Sequence, residues 1–219
     1  MKRLIAEFEE QSFTQIIFPH VKTDWIEYLE EAKTAFINII NQIIKYQKCL
    51  VVCADIDDVK SKFNKDKNLY FAEYETNDTW ARDCSALCVK EDKEIKLLDF
   101  TFTGWGGKFE ASKDNSMNKA IKACYNKELS DINFILEGGA VESNGVDTIL
   151  TTSTCMLNKN RNSGLNTEQI TKKLKQLLTK SGFEVTMNMK ESADLIVNIG
   201  GDGTFLRGMQ GMDLKNIPV

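Results

Sequence analysis

The sequence predicts an α/β protein. Short apolar runs at residues 49–54 and 69–74 have the length and composition of buried strands, and an amphipathic segment at residues 23–47 precedes them. Asp24 followed by Glu27 resembles a capping box at the start of that predicted helix. Alternation of strands and helices is typical of α/β architecture.

Two hairpins and further helices continue this pattern. Residues 85–89 and 94–102 read as one hairpin, and residues 140–143 and 147–152 read as another, turned by Asn144-Gly145. Further strands are predicted at 14–18, 132–136, 183–187 and 193–199. Helices are predicted at 116–126, with Met117, Ile121 and Cys124 on one face, and from residue 167 onward.

Composition narrows the possible partners. The chain has 219 residues, and 42% of them are hydrophobic, which is enough for a packed core. The net charge of −4 argues against general nucleic-acid binding and favours a cationic small molecule. No run approaches the ~18 apolar residues of a membrane span, and we expect no signal peptide, because acidic residues and no long apolar core follow Lys2-Arg3. We therefore expect no membrane contact and a cytoplasmic location.

The cysteines and the histidine carry little predicted chemistry. The 6 Cys lie mostly in apolar runs, so we expect buried free thiols. The spacings of Cys49 to Cys53 and of Cys84 to Cys88 do not predict a metal site, because the intervening residues read as strand. His20, the one histidine, follows a proline and is expected to be structural.

The stretch from Glu75 to Asp83 is the strongest candidate for a site. It places an indole, an arginine and three carboxylates in nine residues between two predicted strands. Trp80 and Asp83 are three residues apart, so one turn points both in the same direction. An aromatic face with a carboxylate suits a planar guanidinium. The alternatives are an ordinary surface loop, or pairing of Arg82 with Asp78 or Glu75.

Two glycine-rich segments are candidate partners of this stretch. Residues 104–108, Gly-Trp-Gly-Gly-Lys, end a predicted strand, as does Glu137-Gly138-Gly139. Glycines let the backbone approach a ligand closely, although they also describe any tight turn. Glu137 is expected to line the same pocket; the alternative is a glycine bulge with a solvated carboxylate.

A different pattern ends the sequence. The apolar residues 193–199 lead into a glycine-rich turn and then a predicted helix, an arrangement that can hold a phosphate. The turn consists of Gly200, Gly201, Asp202, Gly203 and Thr204. The alternative is a plain connection from strand to helix.

Residues 1 to about 168 resemble the agmatine deiminase and bacterial peptidylarginine deiminase family. The motifs that carry the resemblance are Phe18-Pro19-His20, Asn77-Asp78-Thr79-Trp80-Ala81-Arg82-Asp83, Gly104-Trp105-Gly106-Gly107-Lys108, Leu136-Glu137-Gly138-Gly139 and Asn160-Arg161-Asn162. The resemblance implies a pentein-like β/α propeller without a cofactor. It also implies hydrolysis of a guanidine to a ureido group and ammonia, as in putrescine biosynthesis.

The resemblance assigns roles to three residues. Trp80 and Asp83 match the family's WxxD, which packs on and hydrogen-bonds the guanidinium, and Glu137 matches the acidic residue before the glycine pair. The family's Gly-His-x-Asp motif and late nucleophilic cysteine have no counterpart. We therefore expect the N-terminal half of a deiminase propeller, inactive alone, with open sheet edges that favour self-association. Non-catalytic guanidine binding is the alternative.

Residues 169–219 resemble NAD kinase instead. The run from Ala193 to Arg207 looks like that family's signature, and the resemblance implies that the GGDGT turn binds the phosphates of NAD and ATP-Mg. In that family the aspartate, here Asp202, activates the ribose hydroxyl. The expected organisation is therefore a deiminase part, residues 1–168, followed by a partial Rossmann-like strand–helix–strand unit, residues 169–219. A chimeric or truncated chain is expected.

Overall fold

The computed structural model describes residues 2–179 and 184–187. The strands are β1 (Lys2–Leu4), β2 (Thr14–Ile17), β3 (Cys49–Cys53), β4 (Leu69–Glu73), β5 (Leu87–Glu91), β6 (Glu94–Thr101), β7 (Leu129–Ile135), β8 (Val141–Ser143), β9 (Thr148–Thr151) and β10 (Glu184–Met187). The helices are α1 (Leu29–Ile43), α2 (Ile56–Ser61), α3 (Ala81–Cys84), α4 (Gly104–Gly107), α5 (Ser112–Ala120), α6 (Ser153–Met156) and α7 (Thr167–Leu178). Short 3-10 turns are Ile26–Tyr28, Lys122–Cys124 and Gly138–Ala140.

The strands form three sheets, none of which closes on itself within residues 2–179 and 184–187. Their orders are β1-β5-β6-β7, β2-β3-β4 and β10-β9-β8. The β2-β3-β4 sheet is parallel throughout, and both predicted hairpins are present as the antiparallel pairs β5–β6 and β8–β9. The predicted α/β class is therefore confirmed.

The central strand β3 is covered by a helix on each face of its sheet. Every residue of β3 is buried. Val51 packs in one core cluster with Ile40 of α1, while Val52 packs in another with Met117 of α5. A parallel strand covered on both faces requires such a continuous apolar run. Helix α5 therefore lies on the face of this sheet opposite α1.

Two predicted helices differ from those observed. The segment predicted at residues 23–47 begins as the 3-10 turn Ile26–Tyr28 and becomes α-helical only at Leu29, without a capping box. The Trp25 indole instead donates to Thr79 Oγ1 at 2.8 Å, which connects the start of this helix to the stretch from Glu75 to Asp83. The helix predicted at 116–126 starts earlier, at Ser112, and ends at Ala120.

The expectation of buried thiols holds for three of the six cysteines. Cys49, Cys53 and Cys84 are buried, but Cys88 and Cys124 are exposed. Cys88 lies on strand β5 between the buried Leu87 and Val89, so it points away from their core. Cys124 lies in a 3-10 turn after the helix has ended, which is why the helical face predicted for it is wrong.

Helix α7 packs against the main core. A capping box between Asn166 and Gln169 starts it, and its apolar face (Ile170, Leu174 and Leu178) is fully buried. Strand β10 pairs in parallel with β9. The division of the chain near residue 168 stays a prediction, and the predicted strand at 193–199 with its GGDGT turn lies outside the described residues. None of the described helices combines the length and apolarity that crossing a membrane requires.

Candidate functional site

The loop after β4 is held in place by its own side chains. The Trp80 indole donates to Asp78 Oδ2 at 2.6 Å, and Asp78 is buried. Burial raises the pKa of the Asp78 carboxyl, although the Trp80 hydrogen bond opposes this rise. Trp80 as a whole is 50% exposed. The orientation of the indole is therefore fixed while about half of Trp80 stays exposed.

Asp83 joins three segments of the chain. Its Oδ2 accepts a hydrogen bond from the Trp105 indole at 3.1 Å, and its Oδ1 accepts one from the Gly139 backbone N–H at 3.0 Å. Both donors are neutral, and residues 2–179 form no ion pair with this carboxylate. The half-buried Asp83 is thus oriented while its negative charge stays uncompensated, as binding of an external cation requires.

The second indole reaches Asp83 because its backbone is left-handed. Gly104, Trp105 and Gly106 have φ of 60°, 57° and 80°. A Cβ on Gly104 would lie 2.2 Å from the Phe109 carbonyl oxygen, so this turn requires glycine there. Positive φ is unusual for a tryptophan and costs about 1 kcal/mol or more. The fold accepts that cost where Trp105 meets Asp83.

The two indoles make an aromatic corner. The Trp80 and Trp105 ring centroids are 6.0 Å apart with planes at 88°, an edge-to-face contact. Trp105 also packs edge-to-face against Phe102 and Phe109. The Trp105 indole N–H thus bonds Asp83, while Trp80 beside it stays half exposed.

The glycine pair after Glu137 allows close packing against α3. A Cβ on Gly138 would lie 2.1 Å from the Arg82 carbonyl oxygen, and one on Gly139 would lie 2.4 Å from Asp83 Oδ1. A side chain on Gly138 would push the two segments apart, whereas one on Gly139 would displace the Asp83 carboxylate. This is the physical reason for two glycines at this point, and it brings Glu137 to the same side of the fold as Asp83.

Glu137 is buried and paired with Arg161. Arg161 Nε donates to both carboxylate oxygens, at 2.8 and 3.0 Å, and the side chains are only 8% and 3% exposed for Arg161 and Glu137. Asn162 fixes the neighbouring backbone, since its side-chain amide bonds both the N–H and the carbonyl of Ile135. Glu137 is therefore not the solvated carboxylate of the alternative interpretation.

The predicted site residues differ in their surroundings. Trp80 and Asp83 meet at one place, together with Trp105, whereas the Glu137 carboxylate is engaged by Arg161. Arg82 bonds neither Asp78 nor Glu75 within the described residues. Instead it pairs with Glu7 at 2.7 Å and donates to the Val141 carbonyl, so both predicted partners are wrong.

The contacts of Arg161 and Gly139 were missed by sequence reasoning. Asn160-Arg161-Asn162 carried the resemblance, but nothing in its spacing from Glu137 indicates a buried ion pair. Gly139 acts through its backbone N–H, which no residue type reveals. His20 lies beside the start of this stretch, near Glu75 and Thr76; its Nδ1 accepts from the Lys22 N–H, and burial lowers its pKa.

A cavity of about 460 Å³ opens on the opposite side of α3. Its lining includes Phe13, Leu97 and Tyr125 as well as Arg82, but neither Asp83 nor Trp80. The lining also contains Glu7 and Glu142, but both carboxylates already pair with Arg82, whereas Asp83 forms no ion pair within residues 2–179. We therefore place the candidate site at Trp80 and Asp83 and not in this cavity.

Three open sheets of three or four strands, with an acid–indole cluster at strand ends, define an α/β protein. The chain belongs to the Porphyromonas-type peptidyl-arginine deiminase family, whose model matches residues 3–187. The match includes α7 and β10. The resemblance of the segment from residue 169 to NAD kinase receives no support from these comparisons and stays a prediction.

Solved structures agree with this membership. An agmatine deiminase of C. jejuni with substrate bound is 39% identical, with a TM-score of 0.78, over 84% of this chain and 55% of that chain. An agmatine deiminase of Enterococcus faecalis is 28% identical, with a TM-score of 0.75, over 84% of this chain and 52% of that one.

A curated relative extends the comparison. A Mycoplasma capricolum protein, provisionally named agmatine deiminase, is 31% identical over 177 residues, which is 78% of this chain and 49% of that protein. The chain spans about half the length of the curated relatives it matches.

Proposed function

We propose that this chain binds the guanidinium group of a small guanidine, agmatine before peptidyl-arginine, as part of an agmatine deiminase-type hydrolase. Asp83 carries the proposal, because its carboxylate is oriented by two neutral donors and keeps its charge for an external cation. The half-exposed Trp80 would stack on the planar guanidinium. Glu137 would contribute a second carboxylate by sharing its oxygens between Arg161 and the ligand.

Calorimetric titration with agmatine tests this binding. The parent protein should bind agmatine and bind putrescine, which has an amine in place of the guanidine, more weakly. Asp83→Asn should weaken agmatine binding by about tenfold or more, because a charge-assisted hydrogen bond is worth ~1.5–3 kcal/mol. The matched control is Asp131→Asn, which removes an exposed carboxylate, 67% accessible, on strand β7. Equal affinities of the parent and Asp83→Asn would overturn the site assignment.

We further propose that this chain alone does not turn agmatine over. Release of ammonia needs a nucleophile at the guanidinium carbon and a group that moves protons. Cys84 lies next to Asp83, but burial raises the pKa of its thiol, and its Sγ lies 3.4 Å from the Trp80 carbonyl. Burial also raises the pKa of Cys49 to about 11 and of Cys53 to about 12. These thiols are poor nucleophiles at neutral pH.

Mass spectrometry of agmatine incubated with pure protein tests this second proposal. No ureido product should accumulate above a protein-free control over many hours. Product that depends on the concentration of the protein, and that Asp83→Asn abolishes, would contradict it and would direct attention to the exposed Cys88 and Cys124.

A further inference from the structure

Helix α5 has an unusual buried face. Asp114 and Asn118 are four residues apart, hence on one side of the helix, and they are only 2% and 1% exposed. A short surface helix normally buries apolar side chains. Burying a carboxylate and an amide is costly unless each is hydrogen-bonded, so their partners indicate what the face is for.

Asp114 and Asn77 bond each other reciprocally. Asp114 Oδ1 accepts from the backbone N–H groups of Asn77 at 2.6 Å and Asp78 at 3.3 Å. Asn77 Oδ1 accepts in turn from the N–H groups of Lys113 at 2.8 Å and Asp114 at 3.3 Å. This is the pattern of a capping box, but its cap comes from a loop 37 residues away. Ala111, at the position of the local cap, has no side chain that could cap the helix.

The same helix holds the other end of the loop and the second indole segment. Asn118 Nδ2 donates to the Cys84 carbonyl at 2.8 Å, directly after Asp83. Asn115 Oδ1 accepts from the Phe102 N–H at 2.7 Å, two residues before Gly104. Three side chains of one helix therefore fix the backbone on both sides of Trp80 and Asp83 and at the strand end that leads to Trp105.

We propose that α5 is a splint that positions the guanidinium-binding loop, with Asp114 and Asn77 as positioning residues. Asp114 holds the backbone of Asp78, and the Asp78 side chain holds the Trp80 indole. Asn118 fixes the end of α3, on which Asp83 lies. Neither Asp114 nor Asn77 would touch the ligand. The identity of that ligand rests on the proposed function, whereas the positioning of the loop does not.

Hydrogen exchange of residues 77–84, read by mass spectrometry, tests the splint in the full chain without a ligand. Asp114→Ala should accelerate exchange there by about tenfold or more, because the backbone N–H groups of Asn77 and Asp78 both lose their acceptor. Asp114→Asn keeps an acceptor oxygen and should restore protection, which a general loss of packing would not do. Asp131→Ala, at an exposed carboxylate, is the matched control. Unchanged exchange in Asp114→Ala overturns the proposal.

Agmatine titration of the same variants separates this inference from the proposed function. Asp114→Ala should weaken binding by about tenfold, and Asp114→Asn should bind like the parent. A parent protein that binds no agmatine refutes the proposed function, and the exchange measurement still decides the splint. If Asp114→Ala does not fold, Asn77→Ala removes the other half of the box from a half-buried loop position. Parent-like exchange in that variant then overturns the splint.

Discussion

Asp83 and Glu137, the two carboxylates predicted to bind a guanidinium, have opposite surroundings. Asp83 is half-buried and accepts from an indole and a backbone amide, so its charge is oriented but not neutralised. Glu137 is almost fully buried, and the Arg161 guanidinium already compensates its charge. A carboxylate held by neutral donors is available to an external cation, whereas one that is ion-paired belongs first to the fold. Asp83 is therefore the stronger determinant of binding.

Breaking the Glu137–Arg161 pair should produce the largest effect. Arg161→Ala leaves the Glu137 carboxylate buried without its partner, and such a change costs about 3–5 kcal/mol of the free energy of unfolding. Urea denaturation followed by circular dichroism measures the loss.

Asp83→Asn should cost about 1 kcal/mol, because the Asn amide group would face one of the two donors and lose a single neutral hydrogen bond.

A double variant controls for the loss of the arginine stem. Glu137→Leu combined with Arg161→Met replaces the pair with apolar side chains and should be more stable than Arg161→Ala alone. If the single and double variants lose the same free energy of unfolding, the unpaired charge of Glu137 does not cause the loss of stability in Arg161→Ala. The contrast between Asp83 and Glu137 would then fail on the Glu137 side.

The sequence was sufficient for the parts of this comparison that depend on local pattern. The Asn144-Gly145 hairpin and the buried strand at residues 49–53 follow from short-range signals, and both were predicted. The nine-residue stretch containing Trp80 and Asp83 was singled out by its residue types. The structure brings these two residues together.

Contacts between distant segments were not predictable in the same way. Arg161 and Glu137 are 24 residues apart, and Asn77 and Asp114 are 37 apart, so no helical or strand period connects them. Helix α5 was misplaced because its start is capped from another segment and its buried face is polar. Apolar periodicity, the main signal in a sequence, cannot detect such a helix.

The loop that contains Asp83 is held by the buried carboxyl of Asp114, and the free energy of unfolding should depend on pH because of this group. Burial, with smaller contributions from Asp78 and Glu110, raises the pKa of Asp114 to about 6, against the backbone hydrogen bonds from Asn77 and Asp78. An acid whose folded pKa lies above its unfolded value of 3.8 adds stability below pH 3.8 and loses it as pH rises through about 6. A shift of about 2 units corresponds to ~3 kcal/mol.

Asp114→Asn should remove this dependence. Unfolding free energies of the parent and of Asp114→Asn, measured from pH 4 to pH 7, should diverge as pH rises, with the variant the more stable at pH 7. Parallel curves for the parent and Asp114→Asn would show that Asp114 does not carry the shift.

Substitution of the two neighbouring glycines should affect stability and ligand binding separately, and these effects are among the smallest that we predict. Gly138→Ala places a Cβ against the Arg82 carbonyl oxygen, which is backbone and cannot move aside, so the free energy of unfolding should fall by about 1–3 kcal/mol. In Gly139→Ala the one close contact of the new Cβ is with Asp83 Oδ1, at the end of a side chain that can rotate. That rotation breaks the bond from the Gly139 N–H, so agmatine affinity should fall severalfold while stability changes by less than about 1 kcal/mol. Thermal melts and agmatine titration of both variants measure the two quantities, and a larger stability loss in Gly139→Ala would contradict this order. Both glycines would then serve the packing of the fold. Asp83 would then be needed for stability, as Glu137 is, and would not be oriented mainly for a ligand.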